Sequence, residues 1–495
     1  MKPIKTLVFF LIVSTILIAI SFVFPQDGIP LFSDFKLQYP SFNEIVGADI
    51  QKNTTAEDII KNQLSILSED TSSFQEDEVF VFDSTMESLL DIPIKKKIVF
   101  HLDTLKTKIQ KIEFAQNNKK LLHQFFKKAE ANRKLMRVLH YGDSQVEGDR
   151  ITSFLRNRLQ KLFGGSGFGM VPVKPLVNLF SVRQSYSDNW LRYPIFGHKE
   201  GKIKHNKYGG LGVFCRYAPY DKSIEDSTIS SWVKFSVSKI SYRKDGIWKN
   251  VKIFYANGES PILTEIYQDD EMVSAKYLST NVSLKKFQYQ FKGRPKTVTI
   301  KLSGSDSPDI YAIALDANRG IAVDNIPMRG SSGTYFNKMD IGLLKSFYNE
   351  MNVGMILLEF GGNVVPSITS KKGAEQYGRW FASQIRTLRK LNPNTPIIVM
   401  GVADMSTKEK DKYITYPYLE DVRDMMKKYA HKSGAAYWDM YEAMGGENSM
   451  PEWVSAKPKL ATNDYTHYTS RGAKLIANMF YNALLYEYQL YKKKN

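Results

Sequence analysis

The sequence predicts an α/β fold: a parallel sheet with helices on both faces, interrupted by an inserted antiparallel β-sandwich and preceded by an N-terminal membrane-anchor helix. Three observations carry this. Apolar runs alternate with amphipathic stretches on either side of the middle of the chain, the pattern of strands and covering helices. From about 180 to 318 that pattern gives way to the two-residue alternation of half-buried strands. At the front, Lys2 and Lys5 precede an uncharged apolar run from Leu7 to Phe24.

That run of 18 residues spans ~27 Å as a helix, close to a hydrocarbon core of ~30 Å. It exceeds a signal h-region of ~7–15 residues, and no A-x-A-like cleavage site follows. An uncleaved signal anchor over 1–24 is expected, with a cleaved signal peptide as the alternative. Lys2 and Lys5 stay cytoplasmic, which puts the rest on the extracytoplasmic, periplasmic side of an inner membrane.

Residues 25–117 read as a partly ordered spacer, with strand-like fragments EVFVF and KKIVFHL. A helix starts at Asn118, with Leu121, Leu122, Phe125, Phe126 and Ala129 on one face. MRVLHYG then reads as a buried strand. DRITSFLRNRLQKLF follows as a helix with Leu155, Leu159 and Leu162 in its stripe and Arg156 and Lys161 outside. The GGSGFG loop ends it. A P-loop is excluded, because this loop follows a helix and lacks the G-K-[ST] ending. These residues, 118–185, form the first part of the α/β domain.

The insertion spans 186–318. KFSVSKI, NVKIFYA, KKFQYQF and KTVTIKL are its clearest strands. Trp190, Trp232, Trp248, Tyr217 and Tyr220 lie in or near it, as core or as rings that stack on sugars. The second α/β part, 319–495, contains VGMILLEFGG, TPIIVMGVADM and AAYWDM as strands. AEQYGRWFASQIRTLRKL, LEDVRDMMKKYAHKSG and SRGAKLIANMFYNALLYEY are its helices.

Composition narrows the partners. The chain has 68 Lys+Arg against 51 Asp+Glu, a net charge of +17. This favours a membrane face or an acidic glycan, although surplus lysines that aid solubility explain it equally well. No zinc-finger spacing, RNP-like motif or basic zipper is present, so no nucleic-acid partner is expected. The single cysteine, Cys215, rules out an intramolecular disulfide.

Three short segments carry chemistry: YGDSQ at 141–145, EFGGN at 359–363 and DYTH at 464–467. Each alone has a structural reading, with Ser144 or Asp464 as helix caps and Gly361 and Gly362 as turn glycines. Together they hold what acyl transfer from an ester needs. Serine requires a nearby base, and His467 can take its proton. Asp464, three residues earlier, can hold the imidazole tautomer. The Ser144 N–H and the Asn363 amide can face an oxyanion. The α/β-hydrolase elbow G-x-S-x-G is absent, and a lone D-x-x-H offers too few zinc ligands. No cofactor and no metal are called for.

GDSQ, GGN and DxxH in this order resemble blocks I, III and V of the SGNH (GDSL-type) hydrolases. The resemblance covers about 131–185 and 319–495 and implies a three-layer α/β/α fold. It implies Ser144 as nucleophile, His467 as base, Asp464 as its orienting carboxylate and Asn363 as an oxyanion donor. It also implies an oxyanion glycine in RGSSGTYF, for which Gly333 is chosen and Gly330 is the runner-up. HYGDSQVEGDRIT, AAYWDMYEAMGGENSMPEW and DYTHYTSRGAKLIA are further similar to peptidoglycan O-acetylesterases, which carry a carbohydrate-binding-like sandwich between blocks I and II. That resemblance implies an acetylated glycan partner, the ester on the C6 hydroxyl of muramoyl residues. An O-acetyltransferase using the same triad and a non-catalytic, membrane-anchored glycan-binding protein are the alternatives.

Overall fold

The computed structural model describes residues 8–9, 12–13, 15–20, 29–32, 35–37, 58–61, 109–115, 118–203, 205–220, 228–280 and 283–494. The chain divides into two compact units, Met1–Thr55 and Ala56–Asn495. In the first, β1 (Ile29–Phe32) pairs antiparallel with β2 (Phe35–Leu37). Most of the expected anchor lies outside the described residues. Among the described residues no helix is long and apolar enough to cross a membrane. EVFVF and KKIVFHL also lie outside them.

The second unit is built on a six-stranded sheet. Its strands are β4 (Leu135–Gly142), β16 (Gly320–Pro327), β17 (Val353–Glu359), β18 (Ile397–Met400), β21 (Ala436–Trp438) and β3 (Ile112–Glu113), in the order β16-β4-β17-β18-β21-β3. Five run parallel, as expected. The sheet is nevertheless mixed, because β3 pairs antiparallel with β21 at the edge. β3 has only two residues, too few to show a period in the sequence. It is pinned where Trp438 Nε1 donates to the Gln110 carbonyl at 3.1 Å.

Strand alternation sorts the sheet residues into two cores. Leu139, Tyr141, Ile356, Leu358, Ile397 and Val399 face α3 (Ile341–Met351), α4 (Lys371–Leu391) and α5 (Leu419–Lys432). Met136, Val138, Met355, Leu357, Ile398 and Met400 face α1 (Asn118–Ala131), α2 (Thr152–Phe163) and α8 (Ser470–Lys494). This is a three-layer α/β/α arrangement. Leu122, Phe125, Phe126 and Ala129 of α1 are buried as its periodicity predicts. The short helices α6 (Met440–Met444) and α7 (Ser449–Ser455) follow β21.

Arg156 corrects one expectation. It is not on the outside of α2 but fully buried. Its guanidinium grips both oxygens of Asp149 at 2.7 and 2.8 Å, reaches Asp245 at 3.3 Å and donates to the Val323 carbonyl at 2.8 Å. Asp245 belongs to the insertion, so the stripe read from α2 alone could not reveal its partner.

Among the described residues the insertion is an antiparallel sandwich of eleven strands, β5 to β15, between Gly167 and Asp316. One sheet is ordered β13-β10-β15-β8-β7, with β5 also on β15, and the other β12-β11-β14-β9-β6. Here β5 is Gly167–Val171, β6 Val182–Tyr186, β7 Leu191–Pro194, β8 Val213–Arg216, β9 Ile229–Val237, β10 Asn250–Ala256, β11 Ile262–Gln268, β12 Glu271–Leu278, β13 Lys285–Gln290, β14 Thr297–Gly304 and β15 Asp309–Asp316. β5 lies where a helix-ending loop was expected. Gly167 and, ahead of the strand, Gly165 serve close backbone approach: a Cβ on Gly167 would strike the Leu315 carbonyl, and one on Gly165 the Ile321 carbonyl. The strands of the sandwich therefore begin inside the stretch read as the first α/β part.

Trp190, Trp248 and Tyr217 fill the sandwich core, whereas Trp232 is 37% exposed. The outer face of β10 and β15 is also covered. Phe254, Ala312 and Ala314 pack into the core shared with α3, and Phe254 meets Phe347 at 5.3 Å between ring centres. Arg137 of β4 pairs with Asp316 of β15 and with Asp324. Buried ion pairs and a shared apolar core thus join the insertion to the α/β layers.

Candidate active site

The five parallel strands end in one row. Pro327 lies beside Gly142, Gly142 beside Glu359, Glu359 beside Met400, and Met400 beside Trp438. Loops leaving the carboxyl ends of such strands build the crevice of open α/β sheets. Here they enclose a cavity of about 270 Å³. Ser144, Asn363, Met405, Met440 and His467 are among its lining residues.

Ser144 opens a 3₁₀ turn, Ser144–Asp149, directly after β4. It does not cap that turn. Asp143 does, its Oδ1 accepting the Gln145 N–H at 3.0 Å. Gly142 leaves room for the turn, since a Cβ there would come within 2.7 Å of Val146. The Ser144 hydroxyl is thereby left to face the cavity, 2.8 Å from His467 Nε2.

His467 Nδ1 stands 2.8 Å from Asp464 Oδ2. The loop folds around that carboxylate. Asp464 Oδ1 accepts the N–H groups of Thr466 and His467 at 3.0 Å and the Thr462 hydroxyl at 2.6 Å. Burial pushes the Asp464 carboxyl up, but the hydrogen bonds from the His467 N–H, Thr462 and the His467 ring outweigh it and hold it at about 2. An ionised Asp464 keeps the proton on Nδ1 and leaves Nε2 as the acceptor facing Ser144.

Two of the expected oxyanion donors stand at the cavity. The Ser144 N–H is at the first position of the turn, where helical N–H groups have no acceptor within their own turn. Asn363 lines the cavity, and its amide is held by Asp143 Oδ2 at 3.1 Å and the Ser331 carbonyl at 3.3 Å. Gly333 and Gly330 are not among the lining residues. The Gly333 N–H donates to Ser331 Oγ at 3.1 Å, and its α-carbon backs onto Phe360 and Phe381 in the core. Gly330 sits on an exposed turn. Gly362, read from sequence only as a turn glycine, does line the cavity.

Several further residues serve the site without a role read from the sequence. Gln145 Nε2 donates to the Thr466 carbonyl at 2.6 Å. Arg150 donates to the carbonyls of Tyr468 at 2.7 Å and Ser144 at 3.0 Å. These two side chains tie the serine turn to the histidine loop. Asp404, pushed up to about 6 chiefly by burial, also lines the cavity. Its oxygens are taken by Thr415 Oγ1 at 2.8 Å and the Met450 N–H at 2.7 Å, which makes it a brace.

A hairpin of β19 (Ser406–Glu409) and β20 (Lys412–Thr415) braces the other side. Tyr413 stacks on Tyr465 with ring centres 3.6 Å apart and planes 8° from parallel, and the Ser406 N–H donates to the Tyr465 carbonyl at 3.0 Å. Tyr465 sits between Asp464 and Thr466 in a left-handed conformation, φ +54°. Tyr413→Ala should loosen that loop and lower kcat severalfold with little change in KM, in line with ~0.5–1.5 kcal/mol for an aromatic pair. Tyr413→Phe should restore it. A drop in KM alone, or no rescue by phenylalanine, would refute this role.

Asp143 sits beneath the serine. Burial, reinforced by Glu359, pushes its carboxyl up to about 7 against the pull of the Gln145 N–H. A carboxyl raised in the folded state stabilises fully below its unfolded value, and that contribution is lost as the pH rises through about 7. Asp143→Asn should therefore flatten the fall in stability between pH 5 and pH 8. Denaturant midpoints at both pH values measure it, and an unchanged difference between them would exclude the effect.

No protein-family model and no curated protein matches the chain. Solved structures do. A peptidoglycan O-acetylesterase superposes with a TM-score of 0.57 at 19% identity, over 75% of this chain and 96% of that one. A psychrotrophic esterase from Pseudoalteromonas sp. gives a TM-score of 0.25 at 13% identity, over 33% of this chain and 77% of that one. A protein from Parabacteroides merdae described as a GDSL-like lipase gives 0.26 at 16% identity, over 34% and 74%. The last two superpose too loosely to bear on the fold. With the first, the chain shares an α/β fold, as the resemblance of its GDSQ, GGN and DxxH segments to the SGNH (GDSL-type) hydrolases led one to expect.

Proposed function

We propose that this protein is a serine esterase that removes O-acetyl groups from a cell-envelope glycan, specifically the C6 acetyl esters of muramoyl residues in peptidoglycan. The observation that carries the reading is the unbroken chain Ser144–His467–Asp464, with both links at 2.8 Å, beside a cavity at the carboxyl ends of the sheet. The fold shared with a peptidoglycan O-acetylesterase supports the substrate class.

In this reading Ser144 Oγ attacks the acetyl carbonyl while His467 Nε2 takes its proton. The Ser144–acyl bond forms, and the carbonyl oxygen becomes an oxyanion facing the Ser144 N–H and Asn363 Nδ2, which turns one of its N–H groups from Asp143 or Ser331 to the oxyanion. Collapse breaks the bond to the sugar oxygen, which leaves with the proton from His467. Water then attacks the acetyl-enzyme, giving its proton to His467, and acetate departs as Ser144 recovers the proton. Asp464 stays ionised throughout and stabilises the imidazolium.

The cellular setting is part of the proposal. Lys2, Lys5 and the Leu7–Phe24 run motivate an inner-membrane anchor with the catalytic unit on the periplasmic side. The net charge of +17 suits a polymer bearing carboxylates. The test is acetate release from O-acetylated peptidoglycan and from p-nitrophenyl acetate, with fluorophosphonate labelling mapped by peptide mass. Acetate from both and label on Ser144 are expected. Absence of label on Ser144 would exclude a serine hydrolase, and acetyl passing to added sugar in place of water would make the protein a transferase.

A further inference from the structure

The site accounts for an acetyl group but not for the polymer that carries it. A cavity of about 270 Å³ takes the acyl group and the ester. In the glycan-esterase reading, the pyranose rings on either side extend from its mouth over the loops around Ser144. Two exposed aromatic residues of the insertion stand beside those loops. Phe180 and Phe196 keep 43% and 45% of their surface exposed, unlike the sandwich core rings Trp190 and Trp248, which are fully buried.

Both rings seat on left-handed glycines. The Phe180 ring lies over Gly148, four residues after Ser144, where a Cβ would meet it at 3.2 Å. The Phe196 ring lies over Gly330, where a Cβ would meet it at 3.5 Å. Gly148 and Gly330 have φ of +68° and +77°. The two turns are joined to each other and to the site. Arg329 grips both oxygens of Glu147 at 2.8 and 2.6 Å, and the Ser331 carbonyl accepts from Asn363. The Phe180 segment is held by its N–H on the Gly148 carbonyl at 3.1 Å and by Ser181 Oγ on Asp149 at 2.6 Å. The Phe180 segment is therefore held in place, and both rings are half-uncovered against turns linked to the nucleophile and an oxyanion donor. Rigid aromatic faces of this kind bind partners that are apolar on one side and polar at the edges, as pyranose rings are.

We propose that the inserted sandwich completes the substrate site, with Phe180 and Phe196 forming a ledge that stacks the sugar rings flanking the acetylated residue. This rests on the glycan-esterase reading. The experiment compares full-length protein with the Phe180→Ala/Phe196→Ala double variant on O-acetylated peptidoglycan and on p-nitrophenyl acetate. The ratio of the two kcat/KM values should fall about tenfold in the double variant, through KM on the polymer. Phe180→Trp/Phe196→Trp should restore it. Co-sedimentation with insoluble peptidoglycan, in a Ser144→Ala background, should fall in parallel. A parent protein that cleaves the small ester but no glycan ester overturns the glycan reading itself. A parent active on glycan whose selectivity ratio is unchanged in the double variant overturns the ledge alone.

Discussion

Ser144→Ala should lower kcat on acetyl esters by a factor on the order of 10⁶, because nucleophile and base act as one unit and little is left when either is missing. His467→Ala should cost about as much, and combining the two should cost little more than either alone. Asp464→Asn should be milder, on the order of 10⁴, since the amide disturbs the tautomer but keeps base and nucleophile in place. The geometry makes this ranking specific. Among the described residues Ser144 Oγ bonds His467 alone, whereas Asp464 is also held by Thr462 and two backbone N–H groups. Initial rates on p-nitrophenyl acetate measure it, with circular dichroism to check the fold. Retention of more than ~1% of activity in Ser144→Ala would remove this serine from the mechanism.

Arg156→Leu should destabilise the protein by ~3–5 kcal/mol, the cost of removing one partner from a buried charge network. Arg156, Asp149 and Asp245 all have side chains at most 1% exposed. Without the guanidinium, two buried carboxyls face each other, and the Val323 carbonyl loses its donor. Asp245 is already pushed up to about 7, chiefly by burial and against the attraction of Arg156. Its stabilising contribution is present at low pH and lost as the pH climbs through about 7. Removing Arg156 raises that carboxyl further, so the deficit should be larger at pH 8 than at pH 5. Denaturant midpoints of parent and variant at both values give the answer. A loss under ~1 kcal/mol at pH 8 would mean the network is not what joins the insertion to the α/β layers.

Legibility followed the range of the interactions. The central strands read clearly because β4, β17 and β18 are covered on both faces and appear as near-continuous apolar runs. The insertion read clearly as a change of period. β5 did not, because Gly167 and the preceding Gly165 answer to backbones at Leu315 and Ile321, far along the chain. Nor did the buried setting of Arg156, whose partner Asp245 lies 89 positions away. The site divides in the same way. Asp464 and His467 are three residues apart and could be paired by spacing alone. Gly333 was picked by a nearby motif, yet packing against Phe360 and Phe381 turns it from the cavity.

By itself, then, the sequence determined the layer architecture and the residue types of the triad. Burial periodicity and short-range spacing are local properties, written into every few residues. Only the tertiary structure decided that Ser144 and His467, 323 positions apart, stand 2.8 Å from each other. It also decided that Tyr413 stacks on the histidine loop, that Phe180 covers Gly148 of the serine turn and that Phe196 covers Gly330. Those juxtapositions depend on the parallel strands ending in one row and on buried charges that lock the sandwich to them. No local pattern encodes such contacts, because each partner becomes meaningful only once the other is in place.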